Sequence, residues 1–235
     1  MKANILSAAI LAAGIIALGL CIKAGIDNYV NKDRVVSVKG LAEKEVTANH
    51  VTWDIKLSDT GDDLQALYAG MAEKESKVKA FLRENGISEE DIHSNAPLVS
   101  DRHTEYYSEN KGDRYIIKLT MSVSSDDVKK VQDVASRQGD LLSAGIAVGS
   151  QSTYDDSQPI SYQYQGLNDV KPELMKEAIG NAQKTAEQFA ENSHSSLNKI
   201  VTADQGQISI EPMDANIPYK MKIRVVTTIT YSLKD

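Results

Sequence analysis

The chain has 235 residues, 26 Lys+Arg against 33 Asp+Glu, a net charge of -7 and 41% hydrophobic residues. These ordinary fractions exclude a wholly disordered chain, and 14 Gly with 5 Pro exclude collagen-like or Pro/Gly-rich sequence. A single cysteine excludes an internal disulfide framework and any Cys-rich zinc module, and the acidic balance argues against nucleic acid, a polyanion held mainly by Lys and Arg.

From Ala3 to Ile22 there is no charged residue. As a helix this stretch would be roughly 30 Å long, the thickness of a bilayer's hydrocarbon core. It has no polar face, which argues against a buried soluble helix. Residues 1–23 therefore read as an uncleaved membrane anchor, with a cleaved signal peptide as the alternative. Ala17 and Gly19 offer small residues for cleavage, but no polar stretch separates them from the apolar core. Leu20 is too large for the position before a lipoprotein cysteine, so Cys21 reads as an inert small hydrophobe. Lys2 on one side and Lys23, Lys32 and Arg34 on the other leave orientation open under the positive-inside rule. Residues 24–34 read as a polar linker and 35–235 as the folded body.

Strands open that body. Val36 and Val38 are in phase within Val35–Leu41, and Val51, Trp53, Ile55 and Leu57 alternate with His50, Thr52, Asp54 and Lys56. Period two predicts one buried and one wetter face. Thr60 with Asp63 predicts a helix start, Leu64, Leu67, Tyr68, Met71, Val78, Phe81 and Leu82 its apolar face, and Asn85-Gly86 its stop. A strand is expected within Ile92–Val99, a hairpin loop at 108–114, and an alternating strand through Tyr115, Ile117, Leu119, Met121 and Val123. Ser124 with Asp127 predicts a second helix start, and Ile146–Val148 a short strand.

Beyond a polar segment at 149–168, with a strand near Ile160–Gln165, Pro172 reads as lying in the first turn of the longest helix. Met175, Ala178, Ile179, Ala182, Ala186, Phe189 and Ala190 form its stripe, and the alanines predict close packing on a sheet or helix. Strands are expected at Lys199–Ala203 and Gln207–Glu211, then through Met221, Ile223, Val225, Ile229, Tyr231 and Leu233. Half-polar strands interleaved with helices indicate an α+β fold with mixed or antiparallel sheets and helices on one face. In both halves a long helix runs into a strand, which suggests a possible internal duplication.

No motif for nucleophilic, phosphate or dinucleotide chemistry is present, and none of His50, His93, His103 and His194 lies in a metal-binding motif. His50 reads as an exposed residue on a polar strand face. His103 and Glu105, with His93 nearby, are the alternative site for a small ligand, a metal or a weak hydrolase. Asp62-Asp63 and Asp126-Asp127 sit at predicted helix starts, where negative charge suits the dipole. Asp155-Asp156 lies in a loop. Tyr106 and Tyr107 flank one loop, and Tyr154, Tyr162 and Tyr164 another. Tyrosine is enriched at interfaces, which makes these five residues candidate contact surface.

The order of these blocks resembles the SIMPL-domain family. VVSVKGLAEKEVTANHVTWDIKL (35–57) is similar to its opening strands, and the helix ending FLRENGISEEDIHS (81–94) follows in place. The strand and short helix of 115–145 come next. The Ala-rich helix EAIGNAQKTAEQFAENSHSSLNKIV (177–201) and the closing strand KIRVVTTITYSL (222–233) complete the resemblance. The chain departs from the family at Leu197-Asn198, where Leu-Gly is usual, and at Ser193-His194, where a Gly is missing. The resemblance implies a bacterial cell-envelope protein with a periplasmic domain, loosely linked to oxidative or envelope stress, with members that self-assemble. It brings no catalytic residues and no cofactor. The expectation is therefore a non-enzymatic protein, held at the inner membrane by residues 3–22, acting as a homo-oligomer or through protein partners.

Overall fold

A computed structural model describes residues 2–30, 34–104, 112–148 and 159–234. In chain order the elements are α1 (Lys2–Val30), β1 (Val35–Thr47), β2 (His50–Gly61), α2 (Leu64–Glu84), β3 (Ile92–Ser94), β4 (Leu98–Asp101), β5 (Tyr115–Ser125), α3 (Val128–Ser136), α4 (Gly139–Ser143), β6 (Ile160–Gln163), α5 (Leu167–Asn192), β7 (Ser196–Pro212) and β8 (Lys220–Lys234). Single 3-10 turns cover Glu89–Asp91 and Arg102–Thr104.

The helix α1 continues through Val30, into residues 24–34 that read as a linker. Its described side chains are those of residues 11–26, and all are exposed. Among the described residues no helix is long and apolar enough to cross a membrane.

The chain divides into two compact units. The first comprises Met1–Glu45, Asn168–Glu211 and Lys222–Asp235. Its sheet has the order β1-β8-β7. Arg34 O accepts from Leu233 N, and Ser37 Oγ accepts from Thr230 Oγ1, so β1 and β8 run in opposite directions. β8 alternates strictly, with Met221, Ile223, Val225, Ile229, Tyr231 and Leu233 buried. Thr227 shares that phase, and its hydroxyl is the buried side-chain polar atom left without a partner among the described residues.

The helix α5 lies against β1 and β8 through Ala182, Ala186 and Ala190, and Leu174 and Ala178 continue the same buried stripe, spaced four apart. The predicted stripe is therefore right in its alanines but begins at Leu174 rather than Met175, and Ile179 and Phe189 are exposed. Pro172 lies inside the helix rather than in its first turn, because Leu167 already starts it.

The second unit comprises Val46–Leu167 and Pro212–Met221. Its sheet has the order β3-β5-β2-β6, with β4 also pairing with β5, and every pairing is antiparallel. Val51, Trp53, Ile55 and Leu57 of β2 and Ile117, Leu119, Met121 and Val123 of β5 point to one face. There they meet Leu67, Met71, Val78 and Leu82 of α2 and Val131, Val134 and Ala135 of α3. The mixed α+β, one-sided arrangement predicted from alternation is therefore present in each unit.

Local details differ from the sequence reading in instructive ways. Asp63, not Thr60, caps α2 by accepting from the amides of Gln65 and Ala66, and Asp127, not Ser124, caps α3 by accepting from Lys130 N. A short carboxylate next to the first turn reaches those amides directly. The Ile92–Val99 segment splits into β3 and β4 around Asn95-Ala96-Pro97, since Pro lacks the N–H a ladder needs. Ile146–Val148 is not a strand; Ile146 is buried by the end of α4 instead.

Three helices end in the same turn. In α2, Gly86 N donates to Arg83 O and Ile87 N to Leu82 O, with Gly86 at φ +83°. In α4, Gly145 N and Ile146 N donate to Leu142 O and Leu141 O. In α5, His194 N and Ser195 N donate to Glu191 O and Ala190 O. All three are left-handed C-terminal caps, a position glycine favours, yet the third is held by His194 at φ 52°.

Candidate functional site

Of the tyrosines marked as contact surface, Tyr106, Tyr107 and Tyr154 lie outside the described residues, as do Glu105 and Asp155-Asp156. Tyr162 and Tyr164 are half-buried. Tyr162 meets Tyr219 edge-on at 6.2 Å between ring centroids, and its hydroxyl accepts from Gln132 Nε2 at 3.0 Å. Tyr164 folds back over its own chain: a Cβ on Gly166 would stand 2.7 Å from its hydroxyl. Both rings are therefore engaged within the second unit.

His93 lies in β3 opposite Ser122, exposed, and His103 lies in the turn after β4. That turn is organised by Asp101. Its carboxylate accepts from His103 N at 3.0 Å and from Arg114 Nη2 at 2.9 Å. The Arg114 hydrogen bonds, helped by the His103 amide, hold the Asp101 carboxyl below its usual range. Among the described residues no group of three His, Cys, Asp or Glu stands close enough together to hold a metal ion.

Two other features come forward. The first is β7. Lys199–Ala203 and Gln207–Glu211, read as separate strands, form one 17-residue strand hydrogen-bonded to β8 on one side. Its other side carries no strand among the described residues. Ile200 and Val201, neighbours that point to opposite faces, are each 55% exposed. Edge strands are ordinarily kept short or blunted by bulges, charges or proline, because open main-chain groups template pairing. Here Lys199 and Asp204 are the charges beside the apolar pair, and proline enters at the last residue, Pro212.

The second feature is on the polar face of the second unit's sheet. The register that sets Val51 opposite Ser125 and Thr52 opposite Ser124 brings His50 level with Asp126. His50 Nδ1 is 2.7 Å from Asp126 Oδ1, and Ser124 Oγ is 3.1 Å from His50 Nε2. The His50 side chain is only 18% exposed, so it is not the free surface residue its strand phase suggests. A carboxylate only accepts, so Nδ1 donates to Asp126, and in the neutral imidazole Nε2 is then the acceptor for the serine hydroxyl. This grouping joins residues 74 and 76 positions apart, and no motif search finds it. Aligning the two alternating strands antiparallel is the one sequence operation that would have placed His50 beside Asp126.

Neither feature by itself identifies the protein. The model of the SIMPL family, described as a protein of unknown function (DUF541), matches residues 36–231. No curated protein matches the chain. The matched span runs from the second residue of β1 to Tyr231 near the end of β8, taking in both units and the departures at Ser193-His194 and Leu197-Asn198. With the match covering most of its length, the chain belongs to the SIMPL family.

Proposed function

We propose that this SIMPL protein is held at the bacterial inner membrane by its N-terminal helix, with its folded body in the periplasm, and that it works by self-association through the outer edge of β7. The observation that carries the association is that edge: 17 residues, with Ile200 and Val201 exposed on its two faces. A strand edge is complementary to a second copy of itself, since two identical strands pair antiparallel about a two-fold axis. Main-chain hydrogen bonds then supply the attraction, and the exposed Ile and Val side chains lose water.

Tethering is supported by the uncharged run from Ala3 to Ile22. Leu11, Ile15, Ile16, Leu18, Leu20, Ile22 and Ile26 are each more than half exposed, which water does not favour. Confinement to a membrane would also raise the effective concentration of neighbouring copies, so a weak edge contact suffices.

Light scattering on the full chain in detergent micelles tests this reading. The native chain is expected to give a multiple of the protomer mass after subtraction of detergent. Lys199 N and O face Ser232 of β8, so the next residue faces outward, and Ile200→Pro, which removes an edge N–H and adds no charge, is expected to lower that mass. A native chain that is monomeric at high micromolar concentration would overturn the association. Extraction of the native chain from cell membranes by alkaline carbonate would overturn the tether.

A further inference from the structure

We propose that Ser124, His50 and Asp126 form a slow acyl-transfer centre on the polar face of the β2–β5 ladder, acting on small activated carboxylic esters. The connectivity is the basis: hydroxyl to Nε2 at 3.1 Å, and Nδ1 to carboxylate at 2.7 Å. Asp126 fixes the tautomer that leaves Nε2 basic, and Nε2 is within reach of the Ser124 proton. Such a base within hydrogen-bond distance of a hydroxyl, itself oriented by a third group, is the arrangement that activates a serine.

The surroundings set the limits of the chemistry. Thr52 lies directly opposite Ser124, and Ser161 directly opposite Thr52 on the other flank. Residues so paired have Cβ atoms about 5 Å apart and share a face, so Thr52 is the neighbouring hydroxyl on the face of Ser124, while Ser161 lies one strand further out. Ser124 is inside a ladder, not on a sharp strand-to-helix turn, so a cradle of main-chain amides is not supplied. Asp126 is 83% exposed, so water screens it. Both points favour esters with good leaving groups and low rates.

The step balances simply. Ser124 Oγ bonds to the carbonyl carbon while its proton passes to His50 Nε2. The alkoxy C–O bond then breaks, and the leaving alcohol takes that proton. Water, deprotonated by the same nitrogen, releases the acid and restores the serine.

The test uses the full chain with a fluorophosphonate probe and peptide mapping. Labelling is expected on Ser124, with none there in Ser124→Ala. His50→Gln is expected to slow it by about 100-fold. Asp126→Asn should cost less than about tenfold, as expected of a screened carboxylate. In case His50→Gln disturbs the sheet, Ser124→Cys gives a second reading: its alkylation by iodoacetamide should be faster with His50 present than with Gln, at equal circular dichroism. No label on Ser124, or equal rates with and without His50, would overturn the proposal.

Discussion

Gly40 of β1 and Ala178 of α5 approach so closely that a Cβ built on the glycine would overlap the Ala178 main-chain oxygen. The same Cβ would meet Ala182 N at 2.7 Å and Ala182 Cβ at 2.8 Å. No rotamer relieves a clash with main chain, so the helix must lift from the strand or the strand must bend. The four alanines of α5 are the other half of the fit, since any longer side chain there would hold the helix away.

Gly40→Ala is therefore expected to destabilise the first unit by about 3 kcal/mol, at the upper end for overpacking. Urea denaturation of the full chain checks this. A loss below about 1 kcal/mol would mean that the helix can shift without penalty.

His194 supplies a prediction of opposite sign. It holds a left-handed cap at φ 52° where α2 and α4 use glycine. A non-glycine residue in that region costs about 1–2 kcal/mol, so His194→Gly should raise the melting temperature, less the added entropy of a flexible unfolded chain. An unchanged or lower midpoint would show that the imidazole compensates through contacts of its own.

The start of α2 rests on one carboxylate. Asp63 Oδ1 accepts from Gln65 N at 2.9 Å and from Ala66 N at 3.1 Å. Asp63→Ala should cost about 1 kcal/mol, and Asp63→Asn or Asp63→Ser much less, because each keeps an acceptor. Thermal melts of the three variants distinguish capping from a general effect of charge.

Several carboxyls titrate lower in the folded chain than their ordinary values of 4.5 for Glu and 3.8 for Asp. Lys79 lowers Glu75, Arg83 lowers Glu89, Arg114 lowers Asp101, and the Lys130 amide lowers Asp127. The unfolded chain then binds protons more readily in acid. Stability from these groups is present above their ordinary values and is lost as pH falls through the lowered ones. Tyr231 is shifted the other way, raised above 10.0 by burial and then by Glu187. Its contribution is present below that value and is lost as pH rises through the raised one. Melting temperature should be level near neutrality and fall at both ends, below about pH 4.5 and above about pH 10. A flat profile into acid would contradict the carboxylate contacts.

What could be read from the sequence followed from local periodicity. β2, β5 and β8 alternate because one face meets a helix and the other does not, and the four-residue spacing of Ala178–Ala190 signals a close approach by itself. The rest is non-local. Nothing near Lys199 or Gln207 says that two short strand signals join as one edge strand, because the intervening TADQGQ segment is polar for the reason that it is uncovered. His50 looked free because its partners, Ser124 and Asp126, are set by strand register. The cap at His194 was visible as a missing glycine, but the sequence could not say that the turn would form anyway.

A cysteine scan in native membranes tests association through β7 most directly. Single cysteines placed from Asn198 to Asp204 in a Cys21→Ala background are oxidised and resolved by mass. Antiparallel pairing about a two-fold axis predicts disulfide-linked dimers that peak at one position and fade within about two residues on either side, since opposed residues separate at twice the rise per step. Cross-linking at no position, or equally at all of them, would contradict it.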